Sequence, residues 1–193
     1  SRPERKRPVS ERVSAATSSG VPETTISPPS SPAPGPRSTT WSAVRIVSTD
    51  RPMVGHFTDA AVVLDFLASE KAPALAALGT SCPDHFLRTK VKPLLLDLPA
   101  TASVDEQIAR LHQLHADYRA DYRAYYDAHA TADSPAIRGA DPLIVLVPGV
   151  GMFSYGANKQ TARVAGEFYV NAINVMRGAE ALSTYAPISD AEK

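Results

Sequence analysis

The sequence predicts an α/β fold. Two short apolar runs, LLL at 94–96 and LIVLV at 143–147, have the continuous character of strands buried on both faces. Long stretches with helical periodicity lie between and after them. Strand, helix, strand, helix in that order is the pattern of a layered α/β domain.

Each element has a local reason. TDAAVVLDFLASEKAPALAALG, residues 58–79, predicts helix, with Thr58 or Asp59 able to cap its start. Val62, Val63, Phe66 and Leu67 fall on one face. Pro73 divides the stretch into two short helices, because proline suits a helix start and not its interior. Gly79 is the stop signal. In VKPLLLDLP, Pro93 and Pro99 bound a short buried strand at Leu94–Leu96.

TASVDEQIARLHQLHADYRADYRAYYDAHA, residues 101–130, is the strongest helix. Ser103 and Glu106 have capping-box spacing, and Asp105 and Glu106 suit the positive end of the helix dipole. Ile108, Leu111, His115, Tyr118, Tyr122 and Tyr125 make one long stripe. The run at 143–147 then enters PGVGMFSYG, which reads as a glycine-rich connection from strand to helix. NKQTARVAGEFYVNAINVM follows as helix, and a separate short helix is expected around Ala179 to Leu182.

Composition divides the chain near residue 45. Residues 1–40 contain no Leu, Phe or Tyr, and prolines recur from Pro28 to Pro36. Such a segment cannot bury enough apolar surface to offset its ordering entropy, so 1–45 is expected to be a disordered Ser/Thr/Pro-rich tail. Residues 46–193 would form the folded domain. Lys+Arg and Asp+Glu are both 20, so net charge gives no reason to expect nucleic acid or an anionic membrane as partner. Cys82 is the only cysteine and no apolar run nears the roughly 20 residues of a membrane span. A reducing, cytoplasmic setting is the expectation.

Candidate chemistry gathers in GTSCPDHFLRTK, residues 79–90. Cys82 and His85 could be a nucleophile and its base, with Asp84 beside them. The structural alternative has Asp84 capping a turn, His85 bonded to backbone and Cys82 buried. Arg88, Lys90 and Lys92 alternate, so on an extended segment they would share a face and could hold a phosphate. His112 and His115 are three apart, but no third ligand follows at helical spacing. Gly149 and Gly151 could bring backbone amides to an anion at a helix N-terminus, or could serve only a tight turn. Neither G-x-G-x-x-G nor a P-loop is present.

Three segments carry a resemblance: VGHFTDAAVVLDFL, LGTSCPDHFLRTKVKPLLLD and DPLIVLVPGVGMFSYGANKQTARVAGEFYVNAINVMRGAEALS. Together, from about Ile46 to Lys193, they resemble the bifunctional rhamnulose-1-phosphate aldolase/short-chain dehydrogenases. The resemblance implies the later part of a class II aldolase/adducin-type α/β/α domain. It implies zinc and NAD as cofactors of the complete enzyme, a sugar phosphate as ligand, and dihydroxyacetone phosphate and lactaldehyde as aldol products.

The family's H-P-D and H-G-[LIM]-x-x-[WF]-G ligand motifs are absent here, and PGVGMFSYG contains no histidine. The dehydrogenase's glycine loop is also absent, and Tyr155 and Lys159 match its Y-x-x-x-K pair in spacing only. The expectation is therefore a partial aldolase-like domain with no catalytic or metal-ligating residue of its own and no cofactor in this chain. Arg88, Lys90, Gly149 and Gly151 remain the substrate-binding candidates, with Cys82, Asp84 and His85 as a further candidate stretch. The alternatives are a non-catalytic sugar-phosphate-binding or assembly module and a thiol enzyme using Cys82. A second copy of the chain, met through exposed apolar surface, is the expected protein partner.

Overall fold

The computed structural model describes residues 52–98 and 101–193. The tail expected over 1–45 lies outside the described residues. Four strands form one sheet: β1 (Val54–Thr58), β2 (Leu94–Leu95), β3 (Ile144–Val147) and β4 (Gly151–Gly156). Their spatial order is β1-β4-β3-β2. β1 and β3 both run antiparallel to β4, and β2 runs parallel to β3.

Five helices cover the sheet: α1 (Ala61–Leu67), α2 (Ala72–Leu78), α3 (Pro83–Thr89), α4 (Val104–His129) and α5 (Lys159–Leu182). The division at Pro73 is present, with proline in the first turn of α2. The α4 capping box is also present. The Ser103 backbone N–H donates to Glu106 Oε2 at 2.7 Å, and the Glu106 N–H donates to Ser103 Oγ at 3.3 Å. Asn158 caps α5, its Oδ1 accepting from the Thr161 N–H at 2.9 Å.

Side chains of β3 alternate between the two faces, as the pleat requires. Ile144 and Leu146 join a core with Val63 and Phe66 of α1, Leu75 of α2 and Tyr169 and Ile173 of α5. Val145 and Val147 join another with Leu94, Leu96 and Leu111 of α4. Helices therefore lie on both faces of the sheet, in the three-layer α/β/α arrangement. All four residues of β3 are buried, which is why its sequence shows no alternation.

Four sequence expectations need correction. PGVGMFSYG is not a strand-to-helix connection, because Gly151–Gly156 is itself strand β4 and the glycine turn closes a hairpin. Gly149 and Gly151 consequently do not stand at a helix N-terminus. The segment carrying Arg88 and Lys90 is not extended: Arg88 lies in the last turn of α3 and Lys90 follows as its C-cap. Arg88, Lys90 and Lys92 thus form no common row. The expected separate helix at 179–182 is the end of α5, which runs unbroken from Lys159 to Leu182.

Candidate functional site

A cleft of about 500 Å³ opens at the β2 edge of the sheet. Pro73 and Ala77 of α2, Pro93 before β2, and Tyr118, Tyr122 and Tyr125 of α4 line it. The tyrosines are brought to one face by their spacings of four and three residues. Tyr118 and Tyr122 have parallel rings with centroids 6.4 Å apart, and Tyr125 continues the row 6.0 Å beyond Tyr122. The Tyr118 hydroxyl donates to the Lys92 carbonyl at 2.9 Å, tying α4 to the segment that enters β2.

Lys90 lies behind this row. Its backbone is left-handed, with φ 64°, unlike any other described residue except glycines. Its Nζ donates to the Gly139 carbonyl at 2.8 Å and sits 3.9 Å from the Tyr122 ring centroid. Burial pushes its pKa down to about 8; Asp141 opposes that shift and Arg119 adds to it. Arg119 Nη1 pairs with Asp141 at 2.5 Å, and His115 Nε2 lies 3.5 Å from the same carboxylate oxygen. The lysine proposed from sequence as a phosphate ligand is thus occupied by a carbonyl and an aromatic face.

The other candidates are dispersed. Arg88 is exposed and stands 5.9 Å from the Phe168 ring centroid. Asp84 is in the first turn of α3 and Cys82 is the N-cap, half-buried, without a side-chain capping bond. His85 is buried, and its Nε2 lies 3.1 Å from the Asn171 amide, not on a backbone group as expected. Its Nδ1 is buried without a hydrogen-bond partner, so neither ring nitrogen engages the Cys82 thiol. That removes the nucleophile–base contact a thiol enzyme requires. Burial lowers the His85 pKa, against the opposing pull of Asp84.

Gly149 is the third residue of the Val147–Val150 turn, with φ 73°, following Pro148; the Val150 N–H donates to the Val147 carbonyl at 3.0 Å. That combination is a type II turn, in which the third position favours glycine. Gly151, with φ 144°, lies so close to β1 that an added Cβ would meet the Thr58 carbonyl oxygen at 2.5 Å. Both glycines have full structural explanations.

The residues do not fit the zinc that the resemblance implies. Among the described residues no three His, Cys, Asp or Glu side chains converge on a point that could hold a metal ion. His115 faces Asp141, His85 faces Asn171 and His112 is exposed. Sequence reasoning missed the cleft itself. Its signal is the tyrosine spacing on α4, which in the sequence is one long stripe with nothing to show what it faces.

Comparison with known proteins places this geometry in a family. The family model for the second domain of class II aldolase matches residues 38–193. A Bacillus subtilis (strain 168) protein, "Uncharacterized oxidoreductase YuxG", is 33% identical over 147 residues. That alignment covers 76% of this chain and 21% of the relative, so the chain spans about a fifth of the length of the protein it matches. No solved structure matches the chain. The α/β/α layering and the family match over most of the folded region agree: the chain belongs to the class II aldolase second-domain family.

Proposed function

We propose that this domain is the aldolase-side framework of a longer two-function enzyme acting on rhamnulose 1-phosphate. In that reading the larger protein cleaves the sugar phosphate with zinc and oxidises the aldehyde product with NAD. The observation that carries it is the pairing of an aldolase-domain match with a much longer relative, of which the 147 aligned residues are only 21%, and which is named an oxidoreductase. Metal ligands and dehydrogenase motifs would come from outside these 193 residues. A cytoplasmic setting accompanies the proposal; among the described residues no helix is long and apolar enough to cross a membrane.

The domain's own contribution is mechanical. Its two cores, its hairpin and the α3–α5 contact would hold the surface against which the rest of the enzyme packs. An aldol-cleavage assay tests this. The purified chain, given zinc and rhamnulose 1-phosphate, is expected to release no dihydroxyacetone phosphate above background, because catalytic zinc normally needs three protein ligands. The longer Bacillus relative, assayed beside it, is expected to turn over. Metal-dependent turnover by the chain alone, abolished by His85→Ala or His56→Ala, would reverse the reading.

A further inference from the structure

We propose that Lys90 is an amine site that condenses with short aliphatic aldehydes to form an imine. Its setting differs from that of every other described lysine. Lys71 stands by Glu180, Lys92 and Lys193 stand by Asp190, and Lys159 is exposed. Lys90 is turned inward, with no carboxylate in ion-pair contact among the described residues. Its Nζ meets the Gly139 carbonyl at 2.8 Å and lies 3.9 Å from the Tyr122 ring centroid. Asp141, the carboxylate that acts on it from further off, is engaged by Arg119 and stands 3.5 Å from His115.

The backbone is an independent sign. Lys90 has φ 64° and ψ 174°, a conformation strained for any residue but glycine. The buried Thr89 hydroxyl lies 2.9 Å from the His85 carbonyl and 3.0 Å from the Lys90 carbonyl, which fixes the chain at this point. Strain of this kind persists where the surroundings impose it, and it gathers at functional sites.

The chemistry follows from the neighbours. Burial strips water from the ammonium and favours the neutral amine, which is the nucleophile; Asp141 opposes this and Arg119 adds to it, leaving a pKa of about 8. The residue is half-buried, which leaves a small molecule a way in from solvent. The nitrogen lone pair attacks the aldehyde carbon, a C–N bond forms, and one amine proton passes to the oxygen. The hydroxyl then leaves with the second amine proton as water, and the C=N bond remains. No oxidant or reductant is consumed. An acyl or phosphoryl donor would instead have to expel a leaving group, and the two groups against Nζ, a carbonyl oxygen and a ring face, offer it no proton. The ring face also covers an alkyl chain better than a row of hydroxyls. Neither zinc, NAD nor the rest of the longer enzyme enters this reaction, so it stands or falls apart from the aldolase assignment.

The test incubates the full chain with propanal at pH 8, quenches with sodium borohydride, and measures the propyl adduct on each lysine by peptide mass spectrometry. An ordinary lysine is less than about 1% neutral at that pH. Lys90 is therefore expected to carry at least about tenfold more adduct than the exposed Lys159. In urea, with the fold lost, the two should agree within about twofold. Lys90→Arg should abolish the preferred adduct and leave Lys159 labelling unchanged. Arg119→Gln should lower the Lys90 adduct by about threefold, because a neighbouring cation that disfavours the ammonium is removed. Circular dichroism checks that both variants stay folded.

Three results would overturn the proposal. One is a Lys90 adduct at or below the Lys159 level in the folded chain. Another is a preference that persists undiminished in urea, which would place its cause in the local sequence and not in the fold. The third is a Lys90 adduct that a folded Arg119→Gln variant does not lower.

Discussion

Lys90 shows how much a single side chain can hide from sequence reading. As one of three alternating cations it was legible as a charge, but its burial depends on α4 lying across it, and no local pattern reports that. Its lowered pKa, about 8, has a consequence for stability. A buried base whose folded pKa is depressed binds fewer protons folded than unfolded between about pH 8 and its ordinary value of 10.5. Stability is therefore reduced below pH 8 and rises as pH increases through that window, by on the order of 2 kcal/mol. Urea midpoints of the wild type should rise from pH 7.5 to 9.5 more than those of Lys90→Met; equal rises in both would contradict this account. His85 acts at the other end of the scale. Its folded pKa lies below 6.5, so stability is lost as pH falls from 6.5 toward that lower value, because the unfolded chain takes up the proton first. His85→Leu also removes the unpartnered buried Nδ1. It should narrow the gap between melting temperatures at pH 7.5 and 5.5, and an unchanged gap would count against burial as the cause.

Elements were legible where the local signal agreed with the tertiary role. The capping box, the break at Pro73 and the run of β3 could be read directly, because each expresses a backbone requirement in its own residues. β1 went unread: its one large apolar side chain in mid-strand, Phe57, is exposed and gives no inward pattern. In sequence β4 has the look of a turn because glycines begin and end it and Ser154 lies inside. Pairing with strands on both sides makes it a strand regardless. α3 looked extended because alternating cations and flanking prolines mimic a strand edge. The short helix expected at 179–182 is continuous with α5, which passes through Gly178 at the modest cost glycine imposes in a helix. The hairpin glycines give a graded test. Gly149→Ala meets no atom within 4 Å and should cost about 1 kcal/mol, for its left-handed φ alone. Gly151→Ala adds a collision with the Thr58 carbonyl and should cost about 3 kcal/mol or more. Thermal melts that reverse this order would show that the β1–β4 approach is not rigid. At the start of α4, Ser103→Ala should cost about 1 kcal/mol through loss of the cap, read as a lower urea midpoint at unchanged slope.

For the molecule as a whole, the sheet decides whether the two cores behave as one. Sequence periodicity shows a stripe on α4 and a helix at α5, but not that the two bind opposite faces of the same strands. That follows from β3, whose neighbouring residues Ile144 and Val145 enter different cores, and from β4, where Met152 enters one and Tyr155 the other. Because β3 and β4 are common to both cores, neither layer can be lost while the other keeps its packing surface. Folding of the described residues should then be a single cooperative event. Leu111 is buried on the α4 side and Ile173 on the α5 side. Leu111→Ala and Ile173→Ala should each cost about 3 kcal/mol, the transfer term plus the cavity left behind. Each should shift the whole transition and leave it single, whether followed by far-ultraviolet dichroism or by tyrosine fluorescence from the α4 row. A Leu111→Ala protein in which the tyrosine signal melts early while the helical signal stays at the wild-type midpoint would mean that α4 is a separable layer, not one face of a shared core.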